Sequence, residues 1–452
     1  MGTVIENTYI VTMDAGRREI TAGSVVLDGN TITAVTDGRV DAALRDGADI
    51  VDGTGCILTP GLINTHHHLY QWITRGLAAD HTLFQWLTTL YPLWAGIDEE
   101  AVNVAATGAL GWLALSGCTT STDHHYVFPK EGGDLLSAEI LAAQAVGVRF
   151  HPTRGSMDLS EKDGGLPPDS VVETIDQIMT ASDAAITRWH DPAPDAMVKI
   201  ALAPCSPFSV TADLLRASAE LARERNVRLH THLAETIDES DYTAEHFGCS
   251  PLEYMESVGW VGADVWFAHG VHFDDKSIAT LAATQSGIAH CPTSNARLGS
   301  GIARTRDYLD AGIPVGLGVD GSASNESCQL LEEAHQAVMM ARAIGGPTAL
   351  TTRTALELAT LGGATVLGYD GTLGSIEPGK LADLVLWRLD GLGHSGIADP
   401  VAALVLGDVP PIERSWVNGK TVVRGGELTN VDAEATATKV AAAHDELIAK
   451  AG

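Results

Sequence analysis

The alternation of apolar and polar positions divides the chain into two strand-rich ends and a long middle part. Short strand-like runs flank the turn residues Asp28-Gly29-Asn30 near the amino terminus and Asn418-Gly419 near the carboxyl terminus. Turns of this composition between apolar runs are typical of β-hairpins. Because chain ends often lie close together, we expect the two ends to pair into one small β-sandwich.

The middle of the chain alternates short apolar runs with longer, Ala-rich helical stretches such as residues 212–225. The predicted strands are residues 57–65, 118–123, 147–153, 198–204, 227–232, 265–268, 287–291 and 315–319. Eight strand–helix units of this kind predict a closed TIM-like (β/α)8 barrel of the α/β class. An open doubly wound sheet is the main alternative, but no Gly-x-Gly-x-x-Gly turn follows the first strand.

These patterns predict three segments. Residues 1–57 would form the first part of the β-sandwich, and residues 58–365 the catalytic barrel. Residues 366–452 would complete the sandwich and end in a helix near residues 433–450.

Composition narrows the class of protein. The chain has 452 residues, 45% of them hydrophobic, which suits a large core plus an accessory domain. A net charge of −30 argues against nucleic acid or an anionic membrane as a partner and leaves a small molecule as the expected ligand. With no signal peptide or membrane-length apolar run, and six dispersed cysteines, a cytoplasmic protein with reduced thiols is expected.

The most informative polar residues follow predicted strands, where the catalytic face of such a barrel lies. His66 and His68 are two residues apart and therefore point to the same side of a strand, while His67 points away. His232 and Asp320 end two later strands. Three imidazoles and one carboxylate make a suitable site for a divalent ion that keeps one coordination position open for water.

Two further strand-end residues suggest proton-transfer chemistry. Glu235 lies three residues after His232, close enough to exchange a proton with water in the site without being a ligand. His269 could polarise that water or stabilise developing charge, and Asp320 could also accept a proton. A single strand-end histidine is usually structural, but several polar strand ends in one barrel favour a catalytic site.

The motifs also resemble a known family. Residues 60–68 are similar to the opening motif of the amidohydrolase superfamily, and its nucleobase and triazine aminohydrolase branch is matched by residues 231–236, 268–270, 291–295 and 318–325. The resemblance covers essentially the whole chain, including the split sandwich. It implies one zinc or iron ion on His66, His68, His232 and Asp320, with Glu235 and His269 in proton transfer and water orientation. It implies no bridging carboxylated lysine, and Lys199 stands only at the start of the fourth strand.

The expectation about the substrate rests on the loop sequences. Residues 66–77, 122–129, 153–168 and 203–210 resemble the 8-oxoguanine deaminases most, and the triazine hydrolases less closely. This implies hydrolysis of the 2-amino group of 8-oxoguanine to give urate and ammonia. The alternatives are an s-triazine aminohydrolase or chlorohydrolase, a pterin, isoxanthopterin or guanine deaminase, and an inactive barrel used for binding. The family resemblance also implies a homo-oligomer, most simply a dimer.

Several loop residues are candidates for substrate contacts beside Glu235 and His269. Gln71 and Arg154 could read the ring, although Gln71 could equally be a surface amide and Arg154 a loop-ordering ion pair. Cys205 could line the pocket or be an ordinary buried thiol. Trp86 and Trp94 could stack on the substrate or pack in the core.

His124 and His125 look like further metal ligands, but four better-placed candidates exist elsewhere in the sequence. We expect this pair to support the ligands or order the loop.

Overall fold

The amino-terminal residues form half of a mixed sheet in the computed structural model, which describes residues 2–451. The elements are β1 (Thr3–Val11), β2 (Glu19–Asp28), β3 (Thr31–Asp37), α1 (Ala42–Arg45), β4 (Asp49–Asp52) and β5 (Cys56–Pro60). The predicted first hairpin is confirmed, because β2 and β3 are antiparallel and Asp28 lies opposite Thr31.

The middle of the chain forms the predicted barrel. Its strands are β6 (Leu62–Asn64), β7 (His67–His68), β8 (Cys118–His125), β9 (Arg149–Ser156), β10 (Ala201–Pro204), β11 (Arg228–Leu233), β12 (Val265–His269), β13 (Gly287–His290), β14 (Val315–Leu317) and β15 (Asp320–Gly321). Eight of them form one parallel sheet from β6 and β8 through to β14. The first and last strands meet where Thr65 N donates to Leu317 O at 2.9 Å, and β7 pairs with β15 above this seam.

Helices follow the barrel strands and cover them. They are α2 (Leu83–Trp94), α3 (Glu99–Leu115), α4 (Leu135–Val146), α5 (Ile175–Trp189), α6 (Ala212–Glu224), α7 (Ile237–Phe247), α8 (Pro251–Ser257), α9 (Asp275–Thr284), α10 (Pro292–Arg297), α11 (Thr305–Asp310), α12 (Leu330–Gly345), α13 (Thr352–Glu357) and α14 (Gly363–Leu367). Helix α6 illustrates why the sequence pattern predicted these helices. The Thr211 side chain caps its first turn, and its buried residues recur at helical spacing.

The carboxyl-terminal residues complete the first sheet. Their elements are β16 (Leu384–Arg388), α15 (Pro400–Leu406), β17 (Ile412–Val417), β18 (Lys420–Arg424), β19 (Glu427–Leu428) and α16 (Ala433–Ala451). Strand β16 pairs antiparallel with β5. An isolated bridge between Thr31 and Leu381 also links β3, at the end of the sheet, to the segment before β16. Ile5, Leu386 and Trp416 share one buried core, so the sandwich built from both chain ends is confirmed.

The first predicted barrel strand, residues 57–65, was wrong in one respect. The chain changes sheets at Gly61, whose N–H donates to Asp383 O at 2.8 Å. A Cβ at this position would lie 2.1 Å from Thr119 Oγ1, so only glycine allows the close crossing. Strand β5 of the end sheet consequently reaches Pro60.

The carboxyl-terminal segment also contributes to the barrel side, since α16 packs on α3. The domain limits at 57/58 and 365/366 stay predictions. Within residues 2–451, no helix combines the length and apolar character needed to cross a membrane.

Candidate active site

The four predicted metal ligands meet above the carboxyl ends of the barrel strands. Asp320 Oδ1 lies 3.2 Å from His66 Nε2 and 3.3 Å from His68 Nε2. His232 Nε2 lies 3.1 Å from His68 Nε2. The β7–β15 pairing places Asp320 opposite His67 and so brings the last barrel strand to the first. His66, His68 and Asp320 are buried, and His232 is partly exposed toward the cavity.

Backbone carbonyls fix the orientation of two of the rings. His68 Nδ1 lies 2.7 Å from the carbonyl oxygen of His124, and His232 Nδ1 lies 2.7 Å from that of Cys205. A carbonyl oxygen can only accept, so each Nδ1 carries the hydrogen. Each Nε2 therefore presents a lone pair to the centre of the cluster.

The third ring is oriented through another histidine. His230 Nδ1 lies 2.9 Å from Trp266 O and must donate to it, which leaves His230 Nε2 as an acceptor. His66 Nδ1, 2.8 Å away, donates to that nitrogen. His66 Nε2 thus also presents a lone pair, and it is buried with no hydrogen-bond partner in the described chain.

These contacts test whether the residues fit a cation. Three imidazole lone pairs and a carboxylate oxygen face one point, with no hydrogen between His68 Nε2 and His232 Nε2 to relieve their repulsion. Burial lowers the pKa of His66 and His232 well below the ordinary value, so both rings are neutral, as metal ligands must be. The donor set therefore fits a divalent metal ion.

Glu235 and His269 lie beside this cluster. His269 Nδ1 is 2.9 Å from Asn295 Oδ1 and donates to it, so His269 Nε2 faces Glu235 Oε2 at 3.6 Å and Asp320 Oδ2 at 3.9 Å. Ser300 Oγ donates to Glu235 Oε1 at 3.4 Å. Burial raises the pKa of Glu235, His269 opposes this rise and Asp320 adds to it. The raised pKa makes the protonated form of Glu235 more accessible, which suits the group to proton transfer.

The backbone at these residues is unusual. His269 has a φ of 73° and Asp320 a φ of 61°, in the left-handed region that non-glycine residues rarely adopt. Such conformations persist where the surrounding structure enforces them, and they concentrate at functional sites.

The cluster opens into a cavity with largely apolar walls. Besides the polar residues, the lining consists of Leu83, Trp86, Leu87, Tyr91, Tyr126, Leu166, Phe208 and Leu298. Helix α2 supplies four of these side chains. Flat heteroaromatic rings bind well to such surfaces.

The predicted pocket residues separate into two groups. Trp86 and Cys205 line the cavity, and burial raises the pKa of the Cys205 thiol to about 12, which keeps it protonated. Trp94 lies in the core and donates to Thr74 Oγ1 at 3.1 Å. Gln71 is buried beside Gly321, with its Oε1 3.4 Å from Ala323 N.

The structure does not bring Arg154 to the cavity. Its Nη2 donates to both carboxylate oxygens of Glu173 at 2.8 and 2.7 Å, and its guanidinium lies 3.6 Å from the centre of the Phe128 ring. Successive residues of β9 point to opposite faces, and Arg154 points toward helices α4 and α5. This position favours the loop-ordering ion pair over a contact with substrate.

The remaining histidines of the motifs lie around the cluster. The His124 ring stacks on His232 with centroids 4.6 Å apart, and its Nε2 donates to Ala203 O at 2.9 Å. His125 contacts Glu139 Oε1 at 2.7 Å, which orders the loop. His67 Nδ1 accepts from His68 N at 2.8 Å, so its ring is turned from the cluster.

Comparisons with known proteins agree with this geometry. Residues 57–428 match the model of the amidohydrolase family. The chain belongs to that family. This amidohydrolase is similar to 8-oxoguanine deaminase of Pseudomonas aeruginosa, with 44% identity over 429 residues that cover 94% of this chain and 95% of the relative. It is 36% identical to an isoxanthopterin deaminase of an unknown prokaryotic organism, covering 89% of this chain and 87% of the relative.

The amidohydrolase is also similar to solved structures. The crystal structure of atrazine chlorohydrolase from Arthrobacter aurescens complexed with zinc superposes with a TM-score of 0.93 at 33% identity, covering 98% of this chain and 100% of that one. The zinc in that relative and the His and Asp cluster here together support a divalent metal ion.

Sequence reasoning missed three residues that orient the site of this amidohydrolase. His230 orients His66, Asn295 orients His269, and Ser300 contacts Glu235. The signal for His230 was present, because it lies two residues before His232 and so on the same side of β11. Asn295 and Ser300 come from a short helix and the loop after it, where no period marks an inward residue.

Proposed function

We propose that this amidohydrolase is a metal-dependent deaminase of 8-oxoguanine, which it hydrolyses to urate and ammonia. The observation that carries the proposal is the convergence of unshared lone pairs from His66, His68, His232 and Asp320 beside Glu235 in an aromatic-walled cavity. The 44% identity to an 8-oxoguanine deaminase over nearly the full chain supports the substrate.

The four ligands would hold one divalent ion, for which zinc is proposed and iron is the alternative. A divalent ion bound there supplies Lewis acidity that lowers the pKa of water. His66, His68 and His232 act as neutral donors because their Nδ1 hydrogens are engaged elsewhere.

Proton transfer is assigned to Glu235. Its carboxylate accepts a proton from the attacking water and delivers it to the substrate, so that the amino group can leave as ammonia. Burial, which raises the pKa of Glu235, keeps the protonated form accessible for this second step. His269, whose Nδ1 hydrogen is engaged by Asn295, presents Nε2 as an acceptor that orients the water, and Asp320 is placed to accept a second hydrogen bond from it.

The test is turnover of 8-oxoguanine, guanine, isoxanthopterin and an s-triazine by the metal-loaded enzyme. Ammonia release reports the first three substrates, release of amine or chloride reports the triazine, and urate absorbance identifies the product of 8-oxoguanine. We expect 8-oxoguanine to give the highest kcat/KM. Preference for the triazine by orders of magnitude would overturn 8-oxoguanine as the substrate, and full turnover by metal-free protein would overturn the metal dependence.

We further propose a homodimer in the cytoplasm. Light scattering of the protein as it elutes from a size-exclusion column measures the oligomeric state directly. A monomeric mass at micromolar concentration would contradict the proposed dimer.

A further inference from the structure

A second polar cavity opens at the opposite end of the barrel from the metal ligands. It lies where β9, β10 and β11 begin and where α14 ends. Its volume is about 250 Å³, and its wall carries His151, His190, Lys199 and Arg228. None of these residues has a role in the proposed deamination.

Several side-chain nitrogen atoms that line this cavity lack a hydrogen-bond partner. Lys199 Nζ lies 4.4 Å from the centre of the Tyr369 ring, an aromatic contact that leaves its three hydrogens free to donate. Arg228 Nη2 donates to two backbone carbonyls at 2.8 and 2.7 Å, while its buried Nε has no partner in the described chain. Asp191 partly offsets the positive charge of Lys199, and Asp264 and Asp370 partly offset that of Arg228.

The two histidines add donors to the same wall. His190 Nδ1 accepts from Ile200 N at 3.1 Å, so in the neutral ring the hydrogen sits on Nε2. His151 is buried, and its Nδ1 has no hydrogen-bond partner within the part of the chain that the structure describes. A buried polar atom without a partner is uncommon and calls for a ligand or water.

The charged residues around the cavity are partly engaged with one another. Arg149, which lies nearby, is paired with Asp383 through two hydrogen bonds at 3.2 and 3.1 Å. Asp264 at the cavity edge is already paired with Arg223 at 3.0 Å. Burial lowers the pKa of Lys199, and Arg149 lowers it further, as expected where cations are crowded. Lys199, Arg228 and His190 are each partly exposed, so an anion from the solvent can reach their donor groups.

We propose that this cavity binds a small oxyanion of the phosphate class, held by Lys199, Arg228 and His190. Lysine, arginine and imidazole N–H groups are the side-chain donors that bind phosphate oxygens. The cavity has room for such an anion and several waters. The bound anion would neutralise positive charge on Lys199 and Arg228. Because it binds only to the folded state, it would also stabilise this end of the barrel.

The experiment is titration of the metal-loaded enzyme with inorganic phosphate, followed by calorimetry and by the melting temperature, against sodium chloride at equal ionic strength. We expect saturable binding and a rising melting temperature with phosphate alone. Lys199→Gln should weaken phosphate binding by at least about tenfold, since a hydrogen bond to a charged group contributes about 1.5–3 kcal/mol. Lys439→Gln, on the exposed face of α16, is the matched control and should bind phosphate normally.

Phosphate could also reach the metal ligands, and the assay separates the two sites. Binding at the metal ligands inhibits turnover competitively, whereas binding at the second cavity does not, and Lys199→Gln should keep normal turnover. Equal phosphate affinity in wild type and Lys199→Gln, or no saturable heat at all, would overturn the proposal. If Lys199→Gln does not fold, His190→Gln at the cavity edge carries the same test.

Discussion

His66 Nδ1 and His230 Nε2 lie 2.8 Å apart inside the barrel, and the hydrogen between them belongs to His66. This follows from the contact of His230 Nδ1 with Trp266 O, which admits only one tautomer of the neutral ring. A ring that lies outside the centre of the metal ligands therefore decides which nitrogen of His66 faces that centre.

The substitution His230→Phe should weaken metal binding. The phenyl ring could still stack on Trp266, whose ring lies 4.4 Å from that of His230, centroid to centroid, but it removes the acceptor for His66. We expect metal affinity to fall by about 10–100-fold, measured by competition with a chelator. His335→Phe on α12, where the ring contacts only the Val405 carbonyl, is the control and should retain the metal. Equal metal retention by the two variants would contradict this role of His230.

Glu235→Gln should separate metal binding from chemistry. The amide preserves the shape of the side chain and the contact with Ser300 but cannot accept the proton from water. We expect unchanged metal content and a turnover lower by about 10²–10⁴-fold. The exposed Glu220→Gln on α6 provides the control, and near-normal turnover in Glu235→Gln would remove this residue from the mechanism.

Glu239 should make stability depend on pH. Burial raises its pKa to about 8, while the N–H of Ala234 opposes the rise and Glu235 adds to it. A raised folded-state pKa means that its contribution to the free energy of unfolding is complete below about pH 4.5 and is lost as the pH rises toward 8. The loss is at most about 1.4 kcal/mol per pH unit in that window.

The variant Glu239→Gln isolates this contribution. An amide oxygen can still accept from Ala234 N, so the two proteins should be similar in stability at low pH. At higher pH the variant should become the more stable of the two, as measured by denaturant unfolding. A difference that is constant between about pH 5 and pH 8 would show that Glu239 does not titrate there.

Arg154→Met should affect stability more than substrate binding. The change removes the paired hydrogen bonds to Glu173 and the contact with Phe128, at a cost of about 2 kcal/mol. We expect a lower melting temperature with KM changed less than about twofold, because the guanidinium lies outside the cavity. A large rise in KM at an unchanged melting temperature would restore Arg154 as a substrate contact.

The sequence predicted the strands and their polar ends well, because both depend on local patterns. Strand β12 is an apolar run that ends in His269, and this signal needs no tertiary information. In a closed barrel, the carboxyl ends of the parallel strands then meet at one face. The structure brings His66, His68, His232 and Asp320 together, and their role as metal ligands remains a proposal.

Direction across a strand could not be predicted where both faces are buried. Arg154 and Thr153 are neighbours on β9, both fully or nearly buried, and nothing in the composition says which one points inward. The crossing at Gly61 was also missed, although Thr59, Pro60 and Gly61 separate the apolar residues of β5 from those of β6. Only the contact with Thr119 shows why the chain must turn there.

The seam of the barrel has a consequence for the order of folding. His66 and Asp320 are joined where β7 pairs with β15, so the ligand set draws on the first and the last barrel strands. Contacts so far apart in sequence are expected to form late in folding, because the entropic cost of closing the long intervening loop comes first. A nascent chain that ends before Asp320 lacks one ligand, and the metal then stabilises only a barrel that has closed.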